Sequence, residues 1–384
     1  MSTKALRRVR GIGDVPVTDE MSKVMLAIKK KFGEQAIVKG NTIQQPWRIP
    51  TGIFQFDLAT LGGIPHDRIS MVHGPKHSGK SFISDKIIAA AQISMPDQQV
   101  VKIDAEQTHE DVWSSKIGVD NSKLHVVQPE SGEAAIDIAV ALVHAKEVSL
   151  IVVDSLAALV PLKEQDSDAG DAHVALQSRL ITSMLRKMTA AQITERHRGH
   201  HVTVLLVNQQ RTKIGGWSPT GDPISLPGGK ALGHFTTLEW RMKNKETVNR
   251  DERGEDTLAF NEHAFTIEKN KLNAGFRSGE FRMLRRPDDD LGLQEAAIDD
   301  ASLMLSYAKS LGWYTGGAGR AGVDLKFGDY DNLHASKADD MIRTLYSDPD
   351  YFWALRCHLL AAEAERQGMK PWFVEYLRTG EATR

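Results

Sequence analysis

Gly74-Pro75-Lys76-His77-Ser78-Gly79-Lys80-Ser81 is a complete G-x-x-x-x-G-K-[ST] phosphate-binding loop, and it follows directly on the apolar run Ile69-Ser70-Met71-Val72. The order is strand, glycine-rich turn, helix. A helix N-terminus offers unpaired backbone N–H groups and partial positive charge, so this turn can wrap nucleotide phosphates. In such a loop Lys80 reaches the β/γ-phosphates and the Ser81 hydroxyl sits on Mg2+. A purely structural glycine turn would need no strand before it and no helix after it.

Outward from the loop, short apolar strands at 69–72, 100–103, 150–153 and 202–207 alternate with helical segments. Continuous rather than alternating apolar runs mark strands buried on both faces, the pattern of a largely parallel α/β sheet. Beyond Leu238 the runs 238–242, 264–267 and 280–284 change character and predict antiparallel strands added at the sheet's edge. Upstream, Met21, Val24, Met25, Ile28 and Phe32 recur at helical spacing with lysines between them, predicting an amphipathic helix over 20–32. A polar linker, Gly40 to Pro46, follows it. The organisation expected is a helix and linker over 1–45, a nucleotide-binding core over 46–290, and a small α+β domain over 291–384. In that last domain helices are predicted near 295–311 and 335–346, with a final one from Tyr351.

At 384 residues and 41% hydrophobic, the chain suits one large core with smaller appendages. Its longest apolar run, 150–160, is cut by Asp154 and Ser155 and falls short of the roughly 20 residues a membrane span needs. No apolar stretch backs the basic N-terminus, so cytoplasm is the expected compartment, and the single cysteine, Cys357, excludes an internal disulfide. A net charge of −2 means that any nucleic-acid contact must be local. The histidines are scattered without H-E-x-x-H spacing, which argues against a histidine metal site.

The strand ends carry the chemistry. Leu150 to Asp154 is a buried strand closed by a carboxylate, and strand carboxyl ends face the ligand crevice, so Asp154 stands where Mg2+ would be held. A helix N-cap is the alternative for Asp154. Ile103-Asp104-Ala105-Glu106 ends the neighbouring strand, and Glu106 can orient or deprotonate a water aimed at the γ-phosphate. Asn208-Gln209 ends the fourth, where an amide can bind the γ-phosphate without trapping product.

A polymer ligand is suggested by the helix predicted over 173–190. Leu180, Ile181, Met184, Leu185 and Met188 share one face; Arg179, Thr182, Ser183 and Arg186 share the other, a ridge matched to successive phosphates or simply a solvated face. Long loops over 161–171 and 211–229 bracket the unit.

Together these segments resemble the RecA family of homologous-recombination ATPases, over most of the chain. The motifs that carry the resemblance are 74–81, 103–106, 151–161, Gly170-Asp171-Ala172-His173, Asn208 to Gly215 and Glu268-Lys269-Asn270-Lys271. The resemblance implies a RecA-type P-loop core and a helical homo-oligomeric filament on single-stranded DNA that pairs it with homologous double-stranded DNA. ATP and Mg2+ would lie between subunits, with Lys269 and Lys271 reaching the neighbour's γ-phosphate. It implies that Glu106 activates water, that Gln209 senses the γ-phosphate, and that Trp113 and Glu110 meet the adenine. Val174 and Ile214 would wedge between base triplets. Arg179, Thr182, Arg186, Arg211, Lys213, Gly215, Gly228 and Gly229 fall at DNA-contacting positions. The helix over 20–32 resembles the subunit-docking helix. A single-stranded-DNA-binding protein and loading mediators are the further partners implied, and a membrane is not.

The chain departs from the family's pattern in several places. Lys76 and His77 add charge to the phosphate loop, and the second DNA loop is longer and holds Trp217. Lys230-Ala231-Leu232-Gly233-His234 lacks the usual lysine and aromatic pair, and the tail lacks an acidic run. Such drift suits a phage-encoded or otherwise divergent member, which would work in the host cytoplasm. A RecA-fold helicase or motor, and a non-hydrolysing filament or mediator paralogue, are the alternatives. The retained Gly228, Gly229, Val174 and Ile214 oppose the first; intact Lys80, Asp154 and Glu106 oppose the second.

Overall fold

The computed structural model describes residues 19–33, 36–37, 46–165, 174–212, 224–245, 249–250, 256–257, 260–273, 277–316 and 322–380. They fall in two units, Met1–Gln45 and Pro46–Arg384. In the first, α1 (Asp19–Phe32) carries acidic residues in its first turn and lysines in its last, complementing the helix dipole. Met21, Val24 and Phe32 are exposed, and no residue of α1 is buried.

The second unit is built on eight strands: β1 (Ile69–Gly74), β2 (Gln99–Asp104), β3 (Leu124–Val127), β4 (Val148–Asp154), β5 (Thr203–Gln209), β6 (Leu238–Lys245), β7 (Phe260–Asn270) and β8 (Ser278–Leu284). Their order is β8-β7-β6-β1-β5-β4-β2-β3. Strands β6, β1, β5, β4, β2 and β3 run parallel, and β7 and β8 extend them antiparallel. One expectation is corrected here, and one strand is new. The strand from Leu238 pairs parallel with β1, so the antiparallel addition begins only at β7. Strand β3, at the far edge, was not read from the sequence; His125 and Val126 are exposed there, and its apolar pattern is short.

Because side chains alternate across a sheet, each face feeds its own core. On one face Val72, Val100, Leu150, Val152, Leu205, Val207 and Trp240 pack with Ile83, Ile87 and Ile88 of α3 (Lys80–Ser94). On the other, Met71, Val101, Ile103, Ile151, Val153 and Leu206 meet α5 (Gly132–His144) and α6 (Val174–His197). In chain order α2 (Phe54–Thr60) precedes α3, and α4 (Asp111–Ile117) lies between α3 and α5. The apolar face read for α6 is buried: Leu180, Ile181, Met184, Leu185 and Met188 all lie in this second core.

A third core joins Phe54 and Leu61 to α7 (Ala301–Ser310), α8 (Ala338–Ser347), α9 (Pro349–Arg366) and α10 (Pro371–Thr379). Helix α7 starts later than the sequence suggests, after Ala296 and Ile298 pack against the sheet core. The stretch from Tyr351 is two helices, each opened by a proline, since proline fits the first helical turn. Among the described residues no helix is long and apolar enough to cross a membrane.

Candidate functional site

Parallel pairing aligns the carboxyl ends of the central strands: Gly74 is level with Gln209, and Asp104 with Asp154. The phosphate loop leaves β1 here and ends in Gly79, which caps α3 with φ +86°. A side chain at Gly79 would also meet His263, whose Nδ1 lies 2.8 Å from the position a Cβ would take. Glycine is therefore required twice over, by conformation and by space. Inside the loop the Ser78 hydroxyl donates to Pro75 O at 2.9 Å, and Lys80 Nζ donates to the same carbonyl at 2.6 Å. Burial lowers the Lys80 pKa, against the pull of Asp154 and Glu106. Pro75, Lys76, His77 and Ser81 are exposed. A cleft is lined by His77 to Phe82 together with Trp113, Asn261, His263 and Met283.

Glu106, just past β2, accepts the Gln209 side-chain amide at 2.6 Å and the Ser155 hydroxyl on the same oxygen, Oε1. Three strand ends thus converge on one carboxylate. Asp154 is buried beside Lys102, whose Nζ lies 3.4 Å from it and 3.5 Å from Asp85. Burial raises the pKa of Asp154, opposed by Lys102. Asn208 is fully buried: its amide donates to Pro227 O at 3.0 Å and ties β5 to the segment before Gly228.

Glu110 caps α4, accepting from the backbone N–H groups of Val112 and Trp113 at 3.1 and 2.6 Å. Those bonds hold Trp113 in place at the cleft. Lys269 Nζ donates within its own chain to Gly233 O, to Thr236 O at 2.7 Å and to Thr236 Oγ1 at 3.2 Å; Lys271 Nζ donates to His234 O at 3.3 Å. Burial lowers the Lys269 pKa.

On α6 Arg179, Ser183 and Arg186 are exposed, while Thr182 Oγ1 donates to Ser178 O at 2.7 Å on its own helix. Val174 is the first residue of α6. Arg211 lies in a short ribbon, level with Ser225. Gly228 and Gly229 have φ of +92° and +57°, and a Cβ at Gly228 would come within 2.8 Å of Ile181. Lys213, Ile214, Gly215 and Trp217 lie outside the described residues, as does the Gly170 to His173 motif.

Sequence reasoning missed Ser155 as a partner of Glu106, the Lys102 pair with Asp85 and Asp154, and His263 behind Gly79. A lysine inside the apolar run Val100-Val101-Lys102-Ile103 was a usable signal, because a buried ammonium needs a carboxylate partner.

ATP and Mg2+ fit this arrangement. Gly74 also excludes a side chain, since a Cβ there would sit 2.6 Å from Met242 O, and the buried Asp104 Oδ1 has no hydrogen-bond partner among the described residues. Ser81 and Asp154 would be the hard oxygen donors for Mg2+. The ion would neutralise charge between the phosphates, and Lys80 would leave Pro75 O for them.

Residues 19–286 match the family described as the RecA N-terminal domain. Protein RecA of Nocardia farcinica is 35% identical over 301 residues, covering 77% of this chain and 82% of the relative. Protein RecA of Mycobacteroides abscessus is 35% identical over 277 residues, 71% of this chain and 76% of the relative. For Bifidobacterium breve Protein RecA the figures are 33% over 298 residues, 77% and 72%. With the phosphate loop, the strand-end acids and this coverage in agreement, the chain belongs to the RecA family.

Proposed function

We propose that the protein is a DNA-dependent ATPase that polymerises on single-stranded DNA with ATP and Mg2+ and pairs that strand with homologous duplex. The observation that carries this reading is the convergence of Gln209 and Ser155 on Glu106, whose charge also acts on Lys80. Glu106 is then the general base for the attacking water. Gln209 is bonded at one end to that base and continuous at the other with Arg211, the start of the second long loop, so DNA binding and water activation share one strand end.

The phosphate loop 74–81 binds the triphosphate, Trp113 flanks the base, and Glu110 orients Trp113 as its helix cap. Lys269 and Lys271, bound here to carbonyls of their own chain, exchange those partners for the γ-phosphate of the adjacent subunit when the filament assembles. Arg179, Thr182 and Arg186, with Val174, Arg211, Lys213, Ile214, Gly215, Gly228 and Gly229, form the DNA face; Thr182 acts there through helix α6 rather than by donating its hydroxyl. The α1 apolar stripe, exposed at Met21, Val24 and Phe32, docks on a neighbouring subunit. The compartment is the cytoplasm, the host's for a phage-encoded protein.

The test is binding of fluorescent single-stranded DNA with and without ATP and Mg2+ over a salt series. Affinity that rises with ATP and falls steeply with salt supports the reading. Binding indifferent to nucleotide would reject it.

A further inference from the structure

A row of polar side chains crosses four adjacent elements just beside the crevice. His73 on β1 is only 3% exposed, yet both ring nitrogens are satisfied: Gln210 Nε2 lies 2.9 Å from Nδ1, and Glu268 Oε2 lies 3.0 Å from Nε2. An amide NH2 can only donate, so Nδ1 accepts and the ring proton is on Nε2, donated to Glu268. Arg241 on β6, level with His73, brings its Nε to 3.2 Å from Glu268 Oε1.

Backbone geometry places both ends of the row. Glu239 is level with Lys269 and Trp240 with Ile267, so Glu268 is the extra residue of a β-bulge in β7. Bulges re-aim side chains, and this one lets Glu268 reach past β6 to β1. At the other end Gln210 N donates to Gly74 O at 3.1 Å, fixing Gln210 against the start of the phosphate loop. Gln210 lies between Gln209 and Arg211; Glu268 immediately precedes Lys269. An apolar residue would fill the His73 site without needing two partners, whereas a buried imidazole is tolerated only when both nitrogens are paired.

We propose that Gln210, His73 and Glu268 form a positioning row that holds the root of the second DNA loop in register with the Lys269 segment, so that DNA binding at the loop is read at the lysines. The proposal rests on the DNA-dependent ATPase reading. The three act as positioning residues, through the Gln209 and Lys269 segments.

The experiment measures ATP turnover with and without single-stranded DNA, and KM for ATP, in the full-length wild type, His73→Phe, Gln210→Met, Glu268→Leu and Glu268→Gln. His73→Phe keeps a buried planar ring but loses both bonds. The expected result is a DNA-stimulated kcat lower by about five-fold, on the scale of a net hydrogen-bond contribution because the two bonds act as one row, with DNA-free turnover and KM within about two-fold of wild type. Glu268→Gln, which keeps an acceptor for Nε2–H, retains most of the stimulation that Glu268→Leu loses. The double variant His73→Phe/Gln210→Met is no worse than either single, because one row is broken only once. Should His73→Phe fail to fold, Gln210→Met, only half-buried, carries the same test. Wild-type stimulation in His73→Phe or Gln210→Met, or losses that multiply in the double variant, would overturn the row. A wild type whose turnover ignores DNA would instead overturn the function it rests on.

Discussion

Gln209 donates its side-chain amide to Glu106 at 2.6 Å, joining the end of β5 to the residue just past β2 across the intervening β4. The amide that would sense the γ-phosphate and the carboxylate that would activate water are therefore one hydrogen-bonded unit. Replacing the acid while keeping its shape separates binding from chemistry. Glu106→Gln should bind ATP as wild type does and hydrolyse it about 10²-fold more slowly or worse, the range a general base contributes. A fluorescent-nucleotide titration beside a steady-state turnover assay checks both halves, and normal turnover would remove Glu106 from that role.

Lys269 is half-buried, donating to Gly233 O and to the buried Thr236, with Glu239 Oε1 3.4 Å away. Lys269→Ala removes these bonds and the partner of Glu239, so the thermal midpoint should fall by no more than about 4 °C with the fold kept. DNA-stimulated hydrolysis should disappear if the lysine serves the neighbouring subunit's nucleotide. Mixing the variant with an Lys80→Ala chain should restore part of the activity, since each then supplies the half the other lacks. Activity of Lys269→Ala alone on DNA at the wild-type rate would exclude the shared site.

Arg356 is buried between two carboxylates, donating to Asp57 and, at 3.2 Å, to Asp300. Asp57 also accepts from Thr51, and Asp300 from the Phe54 backbone, so the guanidinium latches α9 to α2. Arg356→Met leaves two buried acids without their counter-charge and should cost about 3–5 kcal/mol. Urea unfolding gives the figure. A loss under about 1 kcal/mol would mean the latch is not a stabilising element.

His66 is buried against Trp47, with ring centroids 4.0 Å apart, and its Nδ1 lies 2.7 Å from Thr203 Oγ1. Burial pushes its pKa down from 6.5 to about 3. Below pH 6.5 the unfolded chain takes up a proton that the folded chain refuses, so the stability from His66 is complete above 6.5 and falls away towards 3. Asp300, raised to about 6 by burial, acts in the opposite sense: the folded chain holds its proton where the unfolded one releases it. The His66→Asn variant isolates the first effect. Its urea midpoint should drop less than that of wild type between about pH 7.5 and 4.5, and an identical drop would contradict the assignment.

Much of this site was legible because strand-end chemistry is local. A run such as Leu150 to Asp154 announces its own burial and its terminal acid, and a parallel sheet then brings such ends together without further information. What stayed hidden depended on partners far away in sequence. Lys102 gains its meaning from Asp85 and Asp154, Glu268 from a bulge opposite Trp240, and the parallel direction of β6 from its neighbour β1. Glu110 shows the opposite limit. The family resemblance implies a base contact for it, and the fold adds a second use, its carboxylate capping α4 at the N–H groups of Val112 and Trp113.

The central claim is that hydrolysis and filament assembly on DNA are one event, and the most direct measurement is ATP turnover with and without single-stranded DNA, with electron microscopy of the same mixtures. The account predicts striated filaments and stimulated hydrolysis appearing together, both dependent on ATP and Mg2+. Stimulated hydrolysis without filaments, or filaments that never hydrolyse ATP, would contradict it.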